Sequence, residues 1–198
     1  LINQLCANTS ASNEDPVGVG IPGAVSPTTG LIKNANSICL IGKDLTQDLS
    51  SASGRRIRLA NDADCFAVSE AIDGAGRESE TVFGVILGTG CGGGFVVDGK
   101  ILSGPNAIAG EWGHNPIPWA TDIERPGPAC YCGKNGCIET FVSGPGLSQA
   151  FQNLTGENFT AIKIAELAEN GHKQAEQIIS LFENRLARAL ASVINILD

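Results

Sequence analysis

Thr81-Val82-Phe83-Gly84-Val85-Ile86-Leu87-Gly88-Thr89-Gly90-Cys91-Gly92-Gly93-Gly94-Phe95-Val96-Val97 is the stretch on which the fold turns. Thr81 to Leu87 is a continuous apolar run of strand length, the residues from Gly88 to Gly94 read as a glycine loop, and Phe95 to Val97 read as a second strand. Asp98-Gly99 supplies a hairpin turn after it. In Gly88, Thr89 and Gly90 the backbone N–H groups are unhindered by side chains and the Thr89 hydroxyl can donate, which suits a phosphate; a tight hairpin loop would use the same residues. A lysine does not follow the glycines and a strand does, so this is neither a Walker A loop nor the dinucleotide fingerprint.

Upstream, Leu1 to about Asp15 reads as a short helix running into a polar loop. Pro16-Val17-Gly18-Val19-Gly20-Ile21 alternates β-branched residues with glycine, the pattern of a buried strand that something approaches closely. A second strand, Arg56 to Ala60, leads into Asn61-Asp62, after which Cys65, Phe66, Val68, Ala71 and Ile72 recur at helical spacing. Asp62 therefore sits where a strand hands over to a helix, placed either to accept the proton of a substrate hydroxyl or, with Asp64 as its equal, to cap the helix. Gly74 to Ser79 is a glycine-rich, charged break, and it divides the chain into an expected first domain, 1–76, and second domain, 77–198.

Downstream, Gly104 to Gly136 is long and irregular, and the remainder is helical, with Ile178, Phe182, Leu186, Ala189 and Val193 on one face of a helix from Glu176 to Leu197. Within the irregular stretch, His114, Cys130, Cys132 and Cys137 have the composition of a complete tetrahedral zinc shell, with Gly133 and Gly136 letting the loop turn back on itself; free cysteines in a tight loop are the alternative. Four protein ligands leave no place for water, so such a zinc is structural, and a zinc hydrolase is excluded. Anchoring His114 and Cys137 would bring together Glu111 and Glu139, whose carboxylates suit sugar hydroxyls.

The chain has 198 residues, 42% of them apolar and 17% charged, enough to fill a sizeable core. A net charge of −8 argues against nucleic acid, and no apolar run reaches the roughly 18 residues of a membrane helix. Neither a basic start nor a small-residue cleavage site marks a signal peptide, so the cytoplasm is the expected compartment. Leu1 at the start, the lack of any methionine and the stop at Asp198 after an apolar helical pattern make a piece of a longer polypeptide the expectation.

Taken in order, Gly20-Ile21-Pro22-Gly23, Asn34-Ala35-Asn36, Leu59-Ala60-Asn61-Asp62-Ala63, Gly88-Thr89-Gly90-Cys91-Gly92, Gly110-Glu111-Trp112-Gly113-His114 and Cys130 through Thr140 resemble the ROK family of sugar kinases and repressors over nearly the whole chain. The likeness is strongest to its fructokinase/mannokinase branch, through Lys33 to Asn36, Trp112, Asn115-Pro116 and Cys130 to Lys134. The resemblance implies an α/β, actin-like ATPase (ribonuclease H-like) fold in two lobes around a substrate cleft, and phosphorylation of a hexose, on C6 of fructose or a related sugar, by ATP with Mg2+. It implies Asp62 as catalytic base, sugar contacts from Asn36, Asn61, Glu111, His114 and Glu139, phosphate contacts from Gly88, Thr89 and Gly90, zinc on His114, Cys130, Cys132 and Cys137, and a homodimer. A sugar-sensing ROK repressor is the competing function. The family's first phosphate motif and its adenosine segment are missing, so these residues alone are expected to lack a complete ATP site.

Overall fold

The computed structural model describes residues 1–198 apart from Ser10, Asn13, Asn36 and Asp198. Asn36, expected to meet sugar, therefore lies outside the described residues. The chain forms two compact units, Leu1–Gly84 with Gly94–Gly110, and Val85–Gly93 with Glu111–Asp198. Of the three points at which the chain passes from one unit to the other, two fall in the opening hairpin and the third follows Gly110.

In the first unit, helix α1 (Ile2–Ala7) precedes strand β1 (Val17–Ile21), the short strands β2 (Ala24–Val25) and β3 (Ile32–Lys33), helix α2 (Leu45–Ser53), strand β4 (Ile57–Asn61) and helix α3 (Asp62–Ile72). β1 and β4 run parallel with Ile21 opposite Asn61, and β2 pairs with β3 antiparallel. Ile21, Ile32 and Ala35 are buried together, and Val19, Val25, Leu45 and Leu59 pack around them. Burying a side chain such as Ile32 contributes about 2 kcal/mol. Helix α2 is a segment the periodicity did not mark. Its signals are local instead: the Asp44 carboxylate accepts the N–H of Gln47 and Gly54 closes the helix in the left-handed region.

The hairpin strands are β5 (Thr81–Leu87), β6 (Cys91–Val97) and β7 (Lys100–Ile101), in the order β5-β6-β7. Asp98 and Gly99, both with positive φ, make the expected turn. One expectation is corrected here: Gly92, Gly93 and Gly94 belong to β6, so the glycine loop is only Gly88-Thr89-Gly90. The physical reason is the helix above. A Cβ on Gly94 would stand 2.8 Å from the Ala63 carbonyl oxygen, and one on Gly84 would stand 2.8 Å from the Ala67 Cβ, so these glycines are a flat seat for α3.

In the second unit, single 3-10 turns at Trp112–His114, Asp122–Glu124 and Ile138–Thr140 punctuate the irregular stretch. Helices α4 (Gly144–Thr155), α5 (Ala161–Glu169) and α6 (Lys173–Leu197) follow, closing on Leu147, Phe151, Ile164, Ala175 and Ile178. Ile178 and Ala189 of the expected apolar face are buried, and so is Arg185, which apolar periodicity does not anticipate. Its partner is Glu124, 3% exposed, whose Oε1 accepts from Arg185 Nε at 2.8 Å and from Arg188 Nη2 at 2.7 Å. Arg188 Nη1 also donates to the carbonyls of Pro118 and Trp119, which pins this loop to α6.

Burial pushes the Glu124 carboxyl up, but the hydrogen bonds from Arg188, Arg185 and the Thr121 N–H outweigh it and bring the carboxyl down to about 2. An unfolded glutamate titrates near about 4.3, so this stabilisation is complete above about pH 4.5 and disappears as the pH falls through 2. Glu124→Ala leaves two arginines facing an empty site and is expected to cost about 3 kcal/mol in denaturant unfolding at pH 7, with the loss vanishing near pH 2. A cost below about 1 kcal/mol at pH 7 would contradict a tightly held network.

Among the described residues, no helix is long and apolar enough to cross a membrane.

Candidate functional site

At the end of β4, the Asn61 side-chain oxygen accepts the N–H groups of Ala63 at 2.8 Å and Asp64 at 3.2 Å, so Asn61 is the helix cap. The capping role open to Asp62 or Asp64 falls to their neighbour. Asn61 Nδ2 also donates to the Gly23 carbonyl at 3.0 Å, tying the junction to the turn after β1. Asp62 is thereby the first residue of α3, exposed, with Oδ1 accepting the Ala63 N–H at 2.9 Å. Its other oxygen is a carboxylate acceptor at the positive end of a helix.

The second unit gathers the metal-type residues. One donor atom from each of His114, Cys130, Cys132 and Cys137 lies within 4.8 Å of the others. His114 Nδ1 is 3.6 Å from Cys130 Sγ, and Cys132 Sγ is 3.6 Å from Cys137 Sγ. A tetrahedral zinc at ordinary bond lengths separates two sulfurs by about 3.8 Å and sulfur from nitrogen by about 3.6 Å. The donor set and its spacing therefore fit zinc. Burial pushes the Cys130 thiol up and the Cys137 thiol up to about 12, while the backbone N–H of Lys134 foremost holds Cys132 down. Thiols so buried ionise readily only beside a cation, which zinc would supply.

His114 Nε2 lies 2.9 Å from the Tyr131 hydroxyl, with the rings edge to face at 5.0 Å. With Nδ1 on a metal, Nε2 would carry the ring proton and donate this hydrogen bond to the Tyr131 hydroxyl. Burial, then the charges of Glu139 and Glu111, push the Tyr131 phenol up to about 12, so both carboxylates bear on this ring. Tyr131 was not among the expected site residues, and its place between two cysteines was the only signal for it.

The glycine loop lies in the same unit as Glu139. Glu139 Oε2 accepts the Cys91 N–H at 2.8 Å, and a Cβ on Gly90 would stand 2.6 Å from that oxygen. Inside the loop the Gly88 N–H donates to the Gly90 carbonyl, and the Gly88 carbonyl accepts the N–H of Gly144 at the start of α4. Burial foremost, and then Glu139, push the Cys91 thiol up to about 12, leaving it neutral. Trp112, buried, donates Nε1–H to the Gly92 carbonyl at 2.9 Å.

Of the expected site residues, Glu111, His114, Glu139, the three cysteines and Gly88 to Gly90 fall in the second unit, and Asn61 and Asp62 in the first.

Known proteins are similar to this chain in sequence and in fold. The chain is 39% identical over 196 residues to the N-acetyl-D-glucosamine kinase of Yersinia enterocolitica, covering 97% of this chain and 65% of that enzyme. Among solved structures it superposes on the ROK hexokinase of Thermus thermophilus with a TM-score of 0.78 at 28% identity, over 91% of this chain and 58% of the other. The ROK family glucokinase of Streptomyces griseus, solved with glucose and AMPPNP, gives a TM-score of 0.79 at 25% identity, over 98% of this chain and 67% of the other. The chain thus spans about two thirds of the length of the curated relatives it matches. These superpositions give the α/β chain the actin-like ATPase fold of the ROK sugar kinases. The ROK family matches residues 1–198 in full, and the chain belongs to it.

Proposed function

We propose that the chain is the larger part of an ATP-dependent hexose kinase. The observation that carries this reading is the helix cap: Asn61 satisfies the first N–H groups of α3, which leaves the exposed Asp62 carboxylate available as a base. In the reaction Asp62 takes the proton of the sugar hydroxyl, assigned to C6, as that oxygen attacks the γ-phosphorus of ATP bound with Mg2+ and the bond from that phosphorus to the β–γ bridging oxygen breaks, releasing ADP. Thr89 and Gly90 offer N–H groups, and Thr89 its hydroxyl, to the phosphate oxygens. Glu111 and Glu139 accept from sugar hydroxyls, with Asn61, His114 and Asn36 as further contacts. Zinc on His114, Cys130, Cys132 and Cys137 would be structural, because four protein ligands complete its shell.

The name of the Yersinia relative favours N-acetyl-D-glucosamine as substrate over fructose, the sugar to which the resemblance through Lys33 to Asn36, Trp112, Asn115-Pro116 and Cys130 to Lys134 pointed. Cytoplasmic residence, a homodimer and a domain boundary near 76/77 are parts of the same proposal. The test is a coupled ADP-release assay of the full-length protein on N-acetyl-D-glucosamine, N-acetyl-D-mannosamine, glucose, mannose and fructose. N-acetyl-D-glucosamine is expected to give a kcat/KM at least tenfold above fructose. Tight sugar binding with no ADP release on any of the five would replace the kinase with a sugar-sensing regulator.

A further inference from the structure

Three contacts join the metal-binding segment to the start of β6, immediately after the glycine loop, each from a residue within two positions of a metal-type ligand. Glu139, two residues beyond Cys137, accepts the Cys91 N–H at 2.8 Å. Trp112, two residues before His114, donates to the Gly92 carbonyl at 2.9 Å. Gly113, next to His114, is pressed so closely on the Cys91 carbonyl that no Cβ fits there. Gly90 is held as glycine from the other side by Glu139 Oε2. Within the loop the Gly88 N–H donates to the Gly90 carbonyl, and its other described bonds go to outside partners, which help to set its shape.

We propose that Glu139 and Trp112 clamp the glycine loop to the metal segment, making Glu139 a positioning residue for the loop's phosphate donors and coupling metal occupancy to phosphate affinity. The proposal rests on the reading of Gly88 to Gly90 as a nucleotide-phosphate loop. A carboxylate oxygen on the Cys91 N–H fixes the peptide plane that follows Gly90, and thereby the direction of the N–H groups just before it. If the loaded metal segment holds Glu139 in place, bound nucleotide must hold the metal in place to the same degree, because coupling is reciprocal.

The test uses the zinc-loaded full-length protein with AMPPNP and Mg2+, in wild type, Glu139→Ala and Glu139→Gln. Glutamine keeps an oxygen that accepts the Cys91 N–H, and alanine keeps none. Glu139→Ala is expected to speed hydrogen exchange at the Cys91 amide at least about tenfold and to weaken AMPPNP about tenfold, with zinc content unchanged. Glu139→Gln is expected to stay within about threefold of wild type on both measures. In wild type, AMPPNP is expected to slow zinc transfer to a chelator at least about threefold. Unchanged Cys91 exchange in the alanine variant, or a glutamine variant as impaired as alanine, overturns the clamp; zinc transfer indifferent to AMPPNP overturns the coupling. Should wild type bind no AMPPNP, the phosphate reading falls and the coupling with it, while Cys91 exchange still decides the clamp. Trp112→Phe, which keeps the ring and removes the donor, gives the same exchange readout if Glu139→Ala fails to fold, and an unchanged Cys91 rate there counts against the clamp.

Discussion

Asp62→Asn in the full-length enzyme is expected to lower kcat about a thousandfold while leaving the sugar dissociation constant within about threefold. Asparagine has nearly the same shape, and its oxygen can still accept the Ala63 N–H that Asp62 Oδ1 now accepts, so α3 keeps its first turn. The cap is untouched, since Asn61 provides it. What disappears is the capacity to take a proton, and a base of this kind contributes roughly a hundred- to ten-thousandfold in rate. An effect confined to kcat separates a base from a sugar contact, which would show in binding as well. A variant with kcat within tenfold of wild type would remove Asp62 from the mechanism.

Removal of the proposed zinc is expected to give the second large effect. With free zinc a thousandfold above its dissociation constant, bound metal stabilises the folded chain by about 4 kcal/mol. For a chain of this size that corresponds to a fall in Tm of about 8–16 °C when a strong chelator is added. Cys137→Ser should reproduce most of the fall without chelator, because Cys137 is buried at 1% exposure, immediately precedes the turn that carries Glu139 and has its sulfur 3.6 Å from that of Cys132. The protein as isolated should contain one zinc per chain by atomic absorption. A Tm that moves less than about 2 °C under chelation would show that the four side chains cohere without metal.

Much of this architecture is legible in the sequence because its signals are local. Alternating Val and Gly at 17 to 21, the apolar run from Thr81 to Leu87, the Asp98-Gly99 turn and the helix register from Ile178 to Ala189 each announce one element within a few residues. The metal-type cluster is legible for a different reason: three cysteines in eight residues leave few ways to fold, and the histidine is distinctive. What escaped depends on distant partners. Gly94 looks like loop until α3 is seated on it, and Arg185 is misplaced on an apolar face until Glu124 arrives from 61 residues away. Asn61 as cap and Glu139 as partner of Cys91 are facts about which neighbour takes a hydrogen bond, and no periodicity records that choice.

The glycine seat beneath α3 has a consequence for how substitutions in this chain would be interpreted. Ala63 and Ala67, which rest on Gly94 and Gly84, follow Asp62 on the same helix, so a single added methyl group on the strand must lift the element that carries the proposed base. In a survey of variants scored by growth on a sugar, those two glycines would rank with the reacting residues although neither meets a substrate. Intolerance at such positions would measure the height of a floor and not the chemistry performed above it.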